Sequence, residues 1–220
     1  MPLSVSSCIR QDETVVLLSA CMATSRHHDT MTTFFIFAQN LHMRKLSMDE
    51  LNRKSTDEFK IAAKQKIIVV LENIRSMQNV GSVFRTADAF LIEEIFLIGY
   101  TPQPPHRDIH KTALGATETV QWNYFNTTRE AIESIADKLY KVYAVEQTTN
   151  SISLQKLSDS VDNDGIVLVF GNEVSGVEED TLSLCHGCIE IPQLGMKHSL
   201  NVSVAAGIVL WECTRRTLII

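Results

Sequence analysis

The sequence predicts an α/β protein in which a mostly parallel β-sheet carries helices on both faces. Continuous apolar runs rich in β-branched residues, at 67–71 and 166–170, are typical of strands buried on both faces. Between strand-like runs lies an apolar stripe with helical spacing, formed by Val80, Val83, Phe84, Ala87 and Leu91. Strands that alternate with helices favour parallel pairing, because a helical crossover returns the chain to the same end of the sheet.

The N-terminal half of this pattern predicts two strands and a helix. The first strand, 67–71, precedes a helix over 80–90. A second strand is predicted at 95–98, where an apolar run ends at Gly99. Residues 101–127 are polar and contain three of the five prolines, so we expect a long connection there.

The C-terminal half continues the alternation. A helix is predicted over roughly 128–139, followed by a strand at 141–145. The run 166–170 forms the next buried strand. Both halves therefore contribute strands to the predicted sheet.

Composition indicates a folded chain with a sizeable core. The 220 residues are 45% hydrophobic and 21% charged, which excludes a fully disordered, collagen-like or low-complexity protein. The net charge of −6 argues against indiscriminate coating of nucleic acid and, alone, favours a cytoplasmic enzyme acting on small molecules. Five scattered cysteines predict no disulfide framework and fit a reducing compartment. No apolar run approaches the length of about 18–20 residues that a membrane span needs, so we expect no membrane association.

A change of composition near residue 43 divides the chain. Residues 1–42 show no sustained hydrophobic period, and we expect an extension that is poorly ordered or not native. Residues 43–66 form a basic helical segment, with helix starts predicted at Ser47 and Ser55 because acids follow each hydroxyl. Residues 67–220 are the predicted main domain.

The first segment with unexplained polar residues is 73–88, between a predicted strand and helix. Open α/β sheets build binding sites at this position. Asn79 could be only the helix N-cap, and Arg85 could simply pair with Asp88 on the helix surface. The residues alone favour these structural roles.

The second segment, 170–177, again runs from a strand through a glycine turn. Glycines here allow backbone N–H groups to approach a ligand closely. The patterns of dinucleotide and P-loop sites are absent from the sequence, and Glu173 is acidic where a phosphate site favours neutral or basic groups. A turn without a ligand is the simpler interpretation of this segment alone.

The third segment, 191–207, has two possible structures. Residues 199–204 alternate polar and apolar, as a strand does. The small residues at 203–207 instead favour a closely packed helix capped by Ser199. Nearby, Cys185 and Cys188 have metal-site spacing, but a second ligand pair is missing, so we expect helix-to-strand packing and no metal.

In this order and spacing, the three segments resemble the SpoU (TrmH-like) branch of the SPOUT RNA methyltransferases over about residues 67–215. The family's Asn and Arg, six residues apart, are matched by Asn79 and Arg85. Its Glu after F-G-x is matched by Glu173, and its S-L-N-V-S-V-A-A sequence stands at 199–206. Residues 110–116 also resemble the family's K-x-x-x-G-A loop.

The resemblance implies a homodimer, and a trefoil knot over about 166–213, which chain-topology rules alone would reject. It also implies that the third segment is a loop followed by a helix. S-adenosylmethionine is expected in the knot, held largely by backbone groups of Val169, Phe170, Gly171, Asn172, Ile191, Gln193, Leu194, Gly195, Ser199, Leu200 and Asn201.

The implied reaction transfers a methyl group to a ribose 2′-hydroxyl of RNA, an in-line displacement that depends on positioning. The resemblance implies catalytic roles for Arg85, Asn79, Glu173, Ser199 and Asn201. Arg85 could abstract a proton, but a guanidinium pKa above about 12 favours a bidentate grip on an RNA phosphate. Asn79 would hold Arg85 or the ribose, and Glu173 and Asn201 would orient loops and ligand.

The RNA contacts are expected from Arg75, Arg85, Arg107 and Lys111, which form a local basic set despite the net charge. Transfer RNA is favoured over ribosomal RNA, because no sizeable RNA-binding domain precedes the core in this sequence. Two alternatives are a SpoU-like RNA- or nucleotide-binding module without turnover and a small-molecule enzyme. The second alternative leaves the three combined segments unexplained.

Overall fold

The structure is a computed structural model that describes residues 44–47, 49–157 and 165–215. The chain divides into two compact units, Met1–Arg53 and Lys54–Ile220. The expected extension 1–42 lies outside the described residues. In the first unit, the described residues contain the 3-10 helix Asp49–Leu51, where Ser47 N donates to a Glu50 carboxylate oxygen at 2.8 Å and Glu50 N donates to Ser47 Oγ at 3.4 Å. This reciprocal pair confirms the helix start predicted at Ser47.

The second unit alternates strands with helices. Its first helix has a complete capping box, in which Ser55 Oγ accepts from Glu58 N and the Glu58 carboxylate accepts from Ser55 N. In chain order, the elements are α1 Thr56–Ile61, β1 Gln65–Glu72, α2 Met77–Ala89, β2 Ile92–Ile98, α3 Arg107–Ala113, α4 Ala116–Thr119, β3 Gln121–Phe125, α5 Thr128–Glu133, β4 Lys141–Val145, β5 Ile152–Ser153, α6 Leu154–Leu157, β6 Ile166–Phe170, α7 Glu179–Leu182, β7 Gly187–Glu190 and α8 Val202–Thr214.

The strands form one seven-stranded sheet in the order β3-β2-β1-β6-β4-β7-β5. Every pairing between these strands is parallel. The two continuous apolar runs of the sequence are the central neighbours β1 and β6, with Val69 opposite Leu168. This confirms the predicted α/β class and explains why both runs lack polar alternation.

Helices cover both faces of the sheet, as predicted. On one face, Val69 and Leu168 pack in a core with Phe84 of α2 and Val209 of α8. On the other face, Ile68 and Val167 pack in a second core with Ala131 of α5. Burial of each large aliphatic side chain contributes about 1.5–3 kcal/mol, so the central strands anchor the edge at which the site is built.

Two sequence predictions need correction. The expected connection 101–127 contains α3, α4 and β3. Strand β3 escaped prediction because it is an edge strand whose residues are mostly exposed, so no apolar run marks it. The helix predicted over 128–139 ends at Glu133, because the chain then continues through tighter turns such as Ile135 N to Ile132 O and Lys138 N to Ile135 O.

Within the described residues, no helix has the length and hydropathy needed to cross a membrane. The same residues contain no group of three or more His, Cys, Asp and Glu side chains that could hold a metal ion. The Cys185 thiol donates to Thr181 O at 3.3 Å, and Cys188 packs at the margin of the second core. Burial is the main cause that raises the pKa of Cys185, to about 12.

Candidate active site

The three polar segments meet at one edge of the sheet. Strands β1 and β6 are parallel neighbours, so the chain segments that follow Glu72 and Phe170 emerge side by side. Helix α2 then begins with Ser76 as its N-cap, whose Oγ accepts from Asn79 N at 3.2 Å. Because Ser76 caps the helix, the side chain of Asn79 is available for contacts outside α2, and the proposal that Asn79 is only a cap is wrong.

Glu173 joins the second segment to the first. Its carboxylate accepts from Arg75 N at 2.9 Å, from Ser76 N at 3.1 Å and from Asn79 Nδ2 at 3.0 Å. Burial raises the pKa of Glu173, but hydrogen bonds from these donors and from its own N–H outweigh that cause and hold the pKa below its ordinary value. The charged carboxylate is therefore a stabilising part of this edge.

Asn201 extends the same network to the third segment. Its Nδ2 donates to Asn79 Oδ1 at 3.0 Å, while its Oδ1 accepts from Ser203 N at 2.8 Å. Asn201 is thus the N-cap of α8, so the third segment is a loop followed by a helix, as the resemblance implied, and the cap is Asn201 instead of Ser199. A continuous chain of hydrogen bonds runs from Asn201 through Asn79 to Glu173.

The turn after β6 is held by Asn172. Its Nδ2 donates to Asn73 O at 2.7 Å and to Tyr100 Oη at 2.9 Å, and its Oδ1 accepts from Val174 N at 2.8 Å. A Cβ on Gly171 would lie 2.2 Å from Val177 N, so only glycine allows the two arms of this turn to approach so closely. The turn therefore presents backbone close to the adjoining cleft.

A cleft of about 620 Å³ lies beside this turn. Eight of the eleven residues expected to bind S-adenosylmethionine line it: Phe170, Gly171, Asn172, Ile191, Gln193, Ser199, Leu200 and Asn201. The other three do not line it. Val169 is fully buried within β6, the Leu194 side chain is fully exposed, and a Cβ on Gly195 would meet only open space.

The cleft has a further wall that was not predicted from the sequence. Residues 145–148, at the end of β4, line the cleft together with Ala205. Glu146 accepts from Val177 N at 3.2 Å, and Gln147 Nε2 donates to His198 O at 3.0 Å, so this wall connects the second and third segments. This wall could have been predicted from the polar residues that follow the predicted strand 141–145, because that strand ends at the same edge of the sheet as β6.

The four predicted RNA-contacting cations occupy different positions. Arg75 is exposed and lines a second depression next to the cleft. Arg85 is exposed on α2, about 9 Å along the helix axis from Asn79, and lines neither space. Arg107 is exposed at the start of α3, where Lys111 pairs with Asp108 at 2.7 Å. Within the described residues, Arg85 and Asp88 form no ion pair; Asp88 accepts from Thr119 Oγ1 at 2.6 Å.

This fold is that of the TrmH/SpoU RNA-modifying enzymes. The structure of the A. aeolicus TrmH/SpoU tRNA modifying enzyme matches with a TM-score of 0.61 at 26% identity, covering 70% of this chain and 76% of that one. The AdoMet-bound rRNA methyltransferase from Sinorhizobium meliloti matches with a TM-score of 0.63 at 27% identity, covering 76% of this chain and 62% of that one.

The chain belongs to the SpoU rRNA Methylase family, whose model matches residues 66–211. A tRNA (guanosine(18)-2′-O)-methyltransferase of Thermus thermophilus is 30% identical over 169 residues, which are 77% of this chain and 84% of that protein. A 23S rRNA (guanosine-2′-O-)-methyltransferase of Vibrio cholerae is 28% identical over 181 residues, which are 82% of this chain and 71% of that protein.

Proposed function

We propose that this chain is an RNA methyltransferase that transfers a methyl group from S-adenosylmethionine to a ribose 2′-hydroxyl. The observation that carries the proposal is the hydrogen-bonded chain from Asn201 through Asn79 to Glu173, beside a cleft at the carboxyl edge of a parallel sheet. Family membership and the printed activities of the relatives support it. A small-molecule enzyme would have no need of these three segments together.

The charge of the cleft suits S-adenosylmethionine. Its lining includes Glu146, Glu173, Glu179 and Glu190, and the described residues that line it include no Lys, Arg or His. Such a wall favours a ligand with a positive sulfonium and disfavours a nucleoside phosphate. The Gly171 turn brings backbone within reach of a flat ring, and the residues that would hold the cofactor are those of the turn and of the loops 191–193 and 199–201. When bound, the cofactor supplies an activated methyl group.

The residues of this chain then act by positioning. Glu173 fixes the backbone at Arg75 and Ser76, and Asn79 fixes Asn201 at the cleft wall. A rigid wall reduces the entropy lost when cofactor and ribose are brought into line. In this structure Asn79 contacts Glu173 and Asn201, so we assign it to holding the loops, with Ser199 at the mouth of the cleft.

Arg85 is proposed to bind an RNA phosphate. A guanidinium remains protonated and grips phosphate oxygens with two parallel hydrogen bonds, whereas it supplies almost no free base. Its exposed position on α2 suits a contact with a large substrate. The remaining cations, Arg75, Arg107 and Lys111, would extend the contact. Transfer RNA is the favoured substrate, supported by the Thermus relative.

Exposed apolar side chains on and just before α8 support the homodimer that the resemblance implies. Val204, Ile208 and Trp211 recur at helical spacing along α8 and are 50%, 38% and 53% exposed, and Leu200, which precedes the helix, is 37% exposed. Apolar side chains at this spacing form a stripe that suits a second copy of the chain. Leu200 also lines the cleft, so a partner on this face would border the site, as expected from the resemblance.

We also propose the trefoil knot for residues 166–213 within the domain 67–220. Strand β7 lies between β4 and β5, so the chain after β6 inserts between two strands that precede it in sequence. A late segment placed between earlier strands supports the threading that the resemblance implies. A cytoplasmic location is consistent with an RNA substrate and with the absence of paired cysteines among the described residues.

The decisive experiment compares Arg85→Lys with the wild-type chain in methyl transfer from S-adenosylmethionine to unfractionated tRNA. The variant keeps the charge but loses the bidentate grip, so we expect methyl transfer to fall at least tenfold while calorimetric affinity for S-adenosylmethionine is unchanged. Arg129→Lys, at an exposed arginine of α5, is the matched control. Undiminished transfer by Arg85→Lys would remove Arg85 from the chemistry.

The alternative function, binding without turnover, is tested on the wild-type chain. Mass spectrometry of nucleosides from tRNA incubated with chain and S-adenosylmethionine should reveal a 2′-O-methylated nucleoside. Cofactor and tRNA binding without any methylated product would favour the binding module.

A further inference from the structure

A second depression, which we call the tyrosine site, adjoins the cleft. It has a volume of about 650 Å³ and is lined by Arg75, Met77, Tyr100 and Pro102 together with residues of the turn after β6. Three turn residues, Asn172, Val174 and Ser175, line both the tyrosine site and the cleft. A group bound in the tyrosine site would therefore border directly on whatever occupies the cleft.

We propose that the tyrosine site holds the base of the RNA nucleotide to be methylated, stacked on Tyr100, while Arg75 contacts an adjacent phosphate. The inference rests on the proposed function, because the ribose would then lie between the tyrosine site and the cleft. No sequence motif marked Tyr100, which follows β2 at the same edge of the sheet.

Tyr100 and Val174 expose apolar surface at this edge. The Tyr100 side chain is 62% exposed and that of Val174 is 81% exposed. Tyr100 is nevertheless held in place, because Asn172 Nδ2 donates to its Oη at 2.9 Å and its backbone N donates to Asn73 Oδ1 at 3.3 Å. An aromatic ring fixed at both ends and open to solvent is a ready stacking surface for an unpaired base.

The cleft and the tyrosine site differ in charge. The cleft is lined by four glutamates, whereas Arg75 is the charged residue among the described residues that line the tyrosine site. Within the described residues, the Arg75 guanidinium forms no ion pair. The backbone N–H of Arg75 donates to the Glu173 carboxylate at 2.9 Å. A positive group beside a stacking ring fits a nucleotide of RNA, whose phosphate and base it can bind together.

The test uses unfractionated tRNA as the probe and three variants of the full chain. Tyr100→Ala removes the ring, and loss of one stacked base is expected to weaken tRNA binding and raise the KM for tRNA about tenfold. Tyr100→Phe keeps the ring but loses the bond to Asn172, and should recover most of the tRNA affinity that Tyr100→Ala loses. Tyr124→Ala, at an exposed tyrosine on β3, is the matched control. Affinity for S-adenosylmethionine should be unchanged in all three.

Three other results would contradict either the base site or the proposed function. If Tyr100→Ala binds tRNA as wild type does, the tyrosine site is not a base site. If Tyr100→Phe is as weak as Tyr100→Ala, the phenol acts only by holding Asn172, and the stacking proposal is overturned. If the wild-type chain methylates no RNA but its tRNA affinity depends on the Tyr100 ring, the proposed function fails while the nucleotide site stands.

Discussion

Glu173 holds more of the site in place than its position in a motif indicates. In the sequence it is one acid after a glycine turn; in the structure its two oxygens receive three donors from the start of α2. A carboxylate that accepts hydrogen bonds from backbone N–H groups is stabilised in its charged form, which is why the pKa of Glu173 lies below its ordinary value.

The charge of Glu173 should stabilise the folded chain at neutral pH. Glu173→Gln has one acceptor oxygen for these donors, so we expect the free energy of unfolding at neutral pH to fall by about 1 kcal/mol. A native pKa below the ordinary value of about 4.3 means that the charge stabilises the fold fully above that pH and less as pH falls through the native pKa. Urea unfolding between about pH 7 and pH 3 should therefore show a shallower acid loss in Glu173→Gln.

The control for this experiment is Glu133→Gln, at an exposed glutamate in the last position of α5. It should follow the wild-type curve. Equal acid loss in wild type and Glu173→Gln would show that this carboxylate is not responsible.

Helix α8 combines two functions at its first turn. Asn201 caps the helix through Oδ1 and contacts Asn79 through Nδ2, so the same side chain starts the helix and closes the cleft wall. The rest of α8 packs against the core through Ala206, Val209 and Leu210, which are fully buried. The position of the third segment therefore depends on this helix.

Two substitutions separate the functions of Asn201. Asn201→Ala loses both contacts, so we expect about 1 kcal/mol lower stability and weaker binding of S-adenosylmethionine. Asn201→Ser keeps a good cap but loses the donor to Asn79, so its stability should stay near wild type while affinity falls about fivefold. Thermal unfolding and titration calorimetry measure the two effects.

Thr127→Ala is the matched control, because Thr127 caps α5 through Glu130 N and does not line the cleft. It should lose stability without losing affinity. If Asn201→Ser binds S-adenosylmethionine as tightly as wild type, the bond between Asn201 and Asn79 does not shape the cleft.

For the molecule as a whole, the net charge of −6 coexists with a proposed RNA surface. The four cations Arg75, Arg85, Arg107 and Lys111 are all exposed, whereas the cleft walls are acidic. RNA binding by such a surface depends on local charge, because each neutralised phosphate releases counterions. The net charge then limits non-specific binding without preventing a focused contact.

This surface predicts a specific salt dependence. If the four cations each neutralise a phosphate, the logarithm of the tRNA association constant should fall with the logarithm of salt concentration with a slope of about −3 to −4. Arg107→Gln should reduce the slope by about one, and Arg129→Gln on α5 should leave it unchanged. Fluorescence anisotropy over a salt series gives the slopes, and an unchanged slope for Arg107→Gln would exclude Arg107 from the interface.

Periodicity and composition by themselves determined the class of the fold. The strands at 141–145 and 166–170 and the core face of α2 follow from local apolar patterns, because burial on both faces or on one stripe dictates them. The edge strand β3 and the two-residue β5 could not be predicted in this way, since neither buries a continuous apolar run. The order and spacing of the three polar segments similarly indicate the family.

Only the tertiary structure decided which side chains act together. Asn79 and Glu173 are 94 residues apart, and Asn201 and Asn79 are 122 apart, so no local pattern records their hydrogen bonds. Parallel pairing of β2, β1, β6 and β4 brings their carboxyl ends to one edge, and this adds residues 145–148 to the cleft and Tyr100 to the tyrosine site. The sequence specifies the elements through short-range burial, whereas the site arises where strands far apart in the chain end together.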